Sequence, residues 1–232
     1  LLALLMLLPR AAHADSDLPD APQPQNTATT SPAPPDEEQP KRILGVIPNF
    51  RAVSAGEAAP PPNPKQAFRI ATLSSFDAPS VFFIGVTSLI AEGNNTHPAL
   101  GKGPGGFYAY FWRGFADKTD GNYLVLFAYP ALLHEDERYF AMGQGGFTRR
   151  ALHSLGSIVV CRDYQGRNTF NASEILGRGT AQAISVAYYP SSDRTASEFS
   201  EKMAYALMRD ALTNSVREFW PDIATHILHR HP

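Results

Sequence analysis

The spacing of apolar side chains changes several times along the chain, and each change marks an element. From Pro64 the pattern is helical: PKQAFRIATLSSF sets Phe68, Ala71, Thr72 and Ser75 along one face, and Pro64 suits a first turn. Asp77 can cap a second helix, with Pro79 in its first turn, that runs through VFFIGVTSLIAEG to Gly93. GNNTHP breaks the chain. The stretch GFYAYFWRGFADKTDGNYLVLFAYPALLHEDERYF predicts one or two helices, interrupted near Gly121 or Pro130. GQGG is the next break, followed by FTRRALHSLGSIVVCRD and a turn at Gln165-Gly166. NASEILGRGTAQAISVAYY predicts a helix from near Asn171 to just before Pro190. Ser192 or Asp193 can cap the last helix, where Phe199, Met203, Ala206, Leu207, Met208, Leu212 and Val216 recur at spacings of three and four. That is an amphipathic stripe. No two alternating runs flank a hairpin turn. The predicted class is all-α: a compact bundle of about six to eight helices with an ordered N-terminal arm.

Ahead of the helices the chain divides into three. Residues 1–14, LLALLMLLPRAAHA, combine an apolar run with the small-x-small pattern of Ala12-His13-Ala14, the mark of a signal peptide whose basic start precedes the given sequence. Residues 15–40 are rich in Pro, Ala, Thr, Ser and acids; they cannot bury enough surface to offset ordering entropy and are expected to be a disordered linker. In 41–63, Ile43, Leu44, Val46, Ile47 and Phe50 can dock, while Pro48 and Pro60 to Pro62 forbid regular helix. An extended arm docked on a helical domain of residues 64–232 is expected. Export places the protein in the periplasm or at the outer membrane.

Two features bear on what the helices face. Ser173, Gly177, Ala181 and Ser185 fall every four residues, so a strip of small side chains lets another backbone approach closely. The apolar runs 81–91, 123–133 and 151–161 are each far shorter than the roughly 20 residues that span a bilayer, though they could lie at an interface. The cluster FYAYFWRGF, with Phe107, Tyr110 and Trp112, suits either a membrane interface, an apolar ligand cavity or a bundle core.

A chain of 232 residues, 44% hydrophobic, can build one domain with a real core once the leader and linker are set aside. The formal net charge of −2 offers no basic surface for nucleic acid. The single cysteine, Cys161, excludes an internal disulfide and lies in an apolar run, as a buried inert thiol would.

Candidate chemistry centres on His134-Glu135-Asp136-Glu137-Arg138, where a His beside carboxylates is what acid-base work uses. Its spacing does not match the helical zinc motif; as a solvated helix end it would pair Glu135 with Arg138. In FNASEILGRG, Asn171 or Ser173 can cap a helix and Glu174 can pair with Arg178. Ser173 lacks the strained elbow and the base of a nucleophile. No metal or cofactor motif is present: GKGPGG at 101–106 lacks the phosphate-loop pattern, and His226, His229 and His231 have no carboxylate or Cys partner nearby. His153, in an apolar stretch, reads as a hydrogen-bonded core histidine.

FNASEILG is similar to the P-S-G-H stretch of membrane phosphatases of the phosphatidic acid phosphatase type, but Glu174 stands where the Gly-His pair belongs. Taken together, RILGVIPNFRAVS, TLSSFDAPS, HEDERYF, FNASEILG, YYPSSDRT and EFWPDI resemble an uncharacterised family of exported bacterial helical proteins over Lys41 to Ile223. The resemblance implies a signal peptide, a variable Pro-rich linker and one helical domain, with no established activity. Three expectations follow. The first is a non-enzymatic cell-envelope protein acting on a membrane surface or an envelope protein, in an oligomeric state the sequence leaves open. The second is a membrane-interface enzyme on a lipid or phosphoryl substrate using His134, Glu135 and Glu174. The third is a carrier of small apolar ligands.

Overall fold

A computed structural model describes residues 39–226; the predicted signal peptide and nearly all of the predicted linker lie outside the described residues. Asn63 opens α1 (Pro64–Phe76) with a reciprocal cap, its side chain accepting from the Gln66 amide at 2.9 Å while the Gln66 side chain accepts from the Asn63 amide at 3.0 Å. One residue later α2 (Ala78–Gly93) begins. Asp77 makes no side-chain cap there; Oδ1 of its carboxylate pairs instead with the guanidinium of Arg42.

α3 (Gly103–Tyr123) passes through a π-helical turn, Leu124–Ala128, into the short α4 (Tyr129–Leu133). Pro130 explains the widening: it has no N–H to donate and its ring clashes with a carbonyl one turn back. α5 (Phe147–Gly156), α6 (Ala172–Tyr188) and α7 (Ala196–His226) complete the helices. Thr195 caps α7 by accepting from the Glu198 amide at 3.1 Å, while Ser192 and Asp193 sit in a short 3-10 turn before it. α2 rests on α3, α3 on α6, α6 on α7 and α7 on α5. The domain is mostly helical, as its apolar periodicity predicts.

A few short strands join the helices. In the arm, β1 (Arg42–Ile43) pairs antiparallel with β2 (Ile47–Pro48), and β3 (Ala52–Val53) runs parallel to β5 (Tyr139–Phe140). Ile43 is buried against Trp220 and Ala224 of α7. β4 (Glu135–Asp136), β6 (Val160–Asp163) and β7 (Asn168–Phe170) form an antiparallel sheet, with the predicted turn at Gln165-Gly166 between the last two. Strands of two to four residues are too short to show an alternating pattern, so the sequence around Cys161 reads as helix where the chain is extended.

The strip on α6 is buried along its length: Ser173, Gly177, Ala181 and Ser185 all face inward. A Cβ on Gly177 would lie 2.6 Å from Cγ2 of Val125 and 3.1 Å from that residue's backbone N and Cα, so the π-turn backbone sits directly against α6.

The distribution of polarity is unusual for a helical domain. Charged side chains line the interior: Glu135, Asp136, Glu137, Arg150, Glu174, Arg178, Asp210, Arg217 and Glu218 are all buried. Many large apolar ones lie outside. On α7, Asp210, Asn214, Arg217 and Glu218 turn inward, while Met208, Leu212 and Val216 of the predicted apolar stripe are 40–57% exposed. Charged residues are rarely buried unless paired, and most of these are held by ion pairs.

Candidate functional site

α4 ends on His134, whose backbone takes the left-handed conformation (φ 58°, ψ 42°) and turns the chain into β4. The imidazole is exposed and meets Tyr164 edge-on at 5.5 Å. The acids that follow turn inward instead of forming a solvated helix end. Arg138 makes a fork to Asp136, not to Glu135, and donates to the arm carbonyls of Ala59 and Pro60. Glu135 is thereby free to accept from the Ser173 backbone N–H at 2.8 Å. Asn171 caps the same helix start, accepting from the Glu174 amide at 2.8 Å. A carboxylate and a cap thus satisfy the unpaired amides that open α6.

Pairing of β4 with β6 sets Glu135 opposite Asp163 and Asp136 opposite Arg162. Continued by one residue, that register places Cys161 across from Glu137. Residues i and i+2 of an extended chain share a face, as do residues directly opposite one another. Glu135, Glu137 and Cys161 accordingly bring one ligand atom each within 4.8 Å of one another.

Around this trio lies a layer of buried charge. Glu137 Oε2 accepts from Asn171 at 3.4 Å and stands 3.6 Å from Nη2 of Arg51. Glu174 pairs with Arg178 at 3.0 Å, and Arg178 reaches on to Asp210 of α7. Arg217 donates to Asn49 of the arm at 3.0 Å and to Asn214 at 2.7 Å. Burial, then the charge of Glu174, pushes the Glu137 carboxyl up to about 8 although Arg51 opposes it. Burial also raises Glu174. Asp210 goes the other way: burial opposes its charge, but Arg178, Arg209 and Arg51 outweigh it and hold the carboxyl well below the usual range. Burial and the carboxylates of Glu137, Glu135 and Asp136 raise the Cys161 thiol, so only a small fraction of it is thiolate at neutral pH and it reacts slowly.

A cavity of about 440 Å³ opens beside these groups, lined among others by Arg51, Glu137, His153, Cys161, Asn171 and Asn214. The His153 ring is held by the Phe140 carbonyl at 2.9 Å. Glu137 Oε1 and Arg51 Nε are buried without a hydrogen-bond partner.

The structure therefore brings Glu135 and Glu174 to one buried layer at the start of α6 and leaves His134 at the surface. The aromatics Phe107, Tyr110 and Trp112 do not line this cavity. Phe107 packs on Phe111, Tyr110 fixes the His97 backbone through its hydroxyl, and Trp112 lies between Tyr188 and Arg113. Sequence reasoning passed over Arg51, Asp210 and Asn214, and held Glu137 only as one member of the acidic run. The i, i+2 spacing of Glu135 and Glu137 was the available signal, hidden because the segment reads as a helix end. The chain matches no family model, no curated protein and no solved structure.

Proposed function

We propose that this is an exported cell-envelope protein with a structural or interaction role, held on a membrane surface by the outer face of α1 and α2. The observation that carries this reading is the side-chain distribution of α2. Phe82, Phe83, Leu89 and Ile90 are 74%, 60%, 56% and 57% exposed, whereas Ile84 and Ser88 turn inward. From Ile70 to Ala91 the only charged residue is Asp77, buried in its pair with Arg42. The Thr87 hydroxyl donates to the Phe83 and Ile84 carbonyls of its own helix, so it needs no water. Among the described residues no single helix is long and apolar enough to cross a membrane; α1 and α2 reach that length together, bent by 45°. Such a pair fits the headgroup boundary, with exposed Lys65 and Arg69 near anionic lipid. Four large apolar side chains leaving water supply on the order of 5 kcal/mol, enough for reversible attachment. The resemblance to an exported family supports the same address.

Flotation of the purified full chain with vesicles of mixed zwitterionic and anionic lipid tests the reading, alongside an alkaline carbonate wash of the native membrane fraction. The protein is expected to float with the vesicles. The Phe82→Asp, Phe83→Asp double variant is expected to float at least about tenfold less. A wild-type chain that stays at the bottom of the gradient overturns the proposal. So does one that forms a dimer through α2 and ignores lipid.

A further inference from the structure

We propose that Glu135, Glu137 and Cys161 hold a single divalent cation of the zinc class in the wall of the cavity beside α6. The three ligand atoms already lie within 4.8 Å of one another. A tetrahedral zinc with Zn–O of about 2.1 Å and Zn–S of about 2.3 Å needs them roughly 3.5 Å apart, a closure of about an ångström. The trio is built into the backbone, because β4–β6 pairing fixes which side chains share a face.

A second observation points to a ligand independently of the acids. Glu137 has a side chain only 4% exposed and lines the cavity, yet its Oε1 has no hydrogen-bond partner. Its other oxygen already serves Arg51 and Asn171. A buried carboxylate oxygen left free beside a cavity is costly unless something else occupies that direction. Oε1 is therefore the atom open to a cation, and Arg51 and Asn171 orient the carboxylate from behind. Glu135 is oriented in the same way by the Ser173 amide.

Charge and softness agree. Two carboxylates and a thiolate are balanced by the ion together with Arg51. A thiolate among the ligands favours zinc or cobalt over magnesium and calcium. Glu137 and Cys161 both face the cavity, which leaves a fourth tetrahedral position to a water or ligand oxygen there. This site is separate from α2, and the proposal stands or falls without the membrane reading.

The test is cobalt(II) titration of the chelator-stripped full chain. One-to-one uptake is expected, with the intense visible bands of a tetrahedral ion and a near-ultraviolet sulfur-to-cobalt band, both bleached by zinc. Cys161→Ser should abolish the sulfur band, and Glu137→Gln should weaken binding at least about tenfold with an unchanged helical spectrum. Because the sequence holds one cysteine, zinc should also slow alkylation of Cys161 in the wild-type chain, a readout that needs no variant. Uptake without a sulfur band would place the ion elsewhere, for example on His226, His229 and His231, and would overturn the proposal. Unchanged alkylation in saturating zinc would do the same.

Discussion

Replacing Gly177 by alanine is a sharp test of how α6 packs. The added methyl would meet Val125 Cγ2 at 2.6 Å and backbone atoms of Val125 at 3.1 Å. Val125 is wholly buried and belongs to the π-turn, so neither its side chain nor its backbone has room to yield. Helix propensity by itself favours alanine by about 1 kcal/mol. Overpacking of a tight core costs about 1–3 kcal/mol, so a net loss of up to about 2 kcal/mol is expected. Gly179 lies two residues further along the same helix and has nothing within 4 Å of its notional Cβ. Gly179→Ala should gain about 0.5–1 kcal/mol, because the propensity term acts unopposed. The two variants should differ by about 0.5–3 kcal/mol, a separation in Tm of up to roughly 10 °C for a domain of this size. Thermal unfolding followed by circular dichroism measures it directly. If both substitutions raise Tm by the same amount, the close approach of α6 to Val125 does not exist. Gly177→Leu should be more damaging than either.

Three further outcomes follow from the buried charges and the outer faces. Glu218 accepts from Tyr139 Oη at 2.6 Å, from the Met142 and Gly143 amides and from Arg150, which hold its carboxyl below the ordinary 4.5. A lowered folded-state pKa contributes stability that is present above the unfolded value and lost as pH falls through the folded one. Glu218→Gln should therefore cost about 3–5 kcal/mol at pH 7 in urea titrations, and the gap to wild type should close as pH drops below about 4.5. Arg178→Met leaves Glu174 and Asp210 buried without their shared cation; a loss of about 3–5 kcal/mol is expected, and a variant as stable as wild type would contradict the pairing. Thr87→Val removes a hydroxyl bonded only within α2, so vesicle flotation should be equal to or greater than wild type. A marked fall in flotation would mean that the hydroxyl faces water.

Helix starts were legible because they depend on local chemistry. Asn171 caps α6 whatever surrounds it, and Pro64 and Pro190 bound their helices by fixed φ. Which face of a helix is buried is not local. The apolar stripe of α7 has the right period, but Asp210, Asn214, Arg217 and Glu218 repeat on the opposite side with similar spacing, and the interior they enter is supplied by Arg178, Arg150 and the arm. The candidate cation trio was hidden for a related reason. Glu137 and Cys161 are 24 positions apart and meet only through a register that two-residue strands do not announce. Arg51 reaches them from an arm whose sequence shows that it can dock and cannot be helical, but not which charge it carries inward.

The seating of the arm also dictates when folding can finish. Ile43 packs on Trp220 and Ala224, Gln39 donates to the Arg217 carbonyl 178 residues away, and Asn49 accepts from Arg217 across 168. Synthesis delivers the arm first and its partners last, so Ile43 cannot be covered, nor Oδ1 of Asn49 bonded to Arg217, until the chain has been made through Ala224. Contacts of such long sequence separation are slow to form, since loop closure must precede their reward. The amides of residues 39–53 should be among the last to gain protection from hydrogen exchange during refolding. A polypeptide that closes its fold this late stays threadable for most of its synthesis.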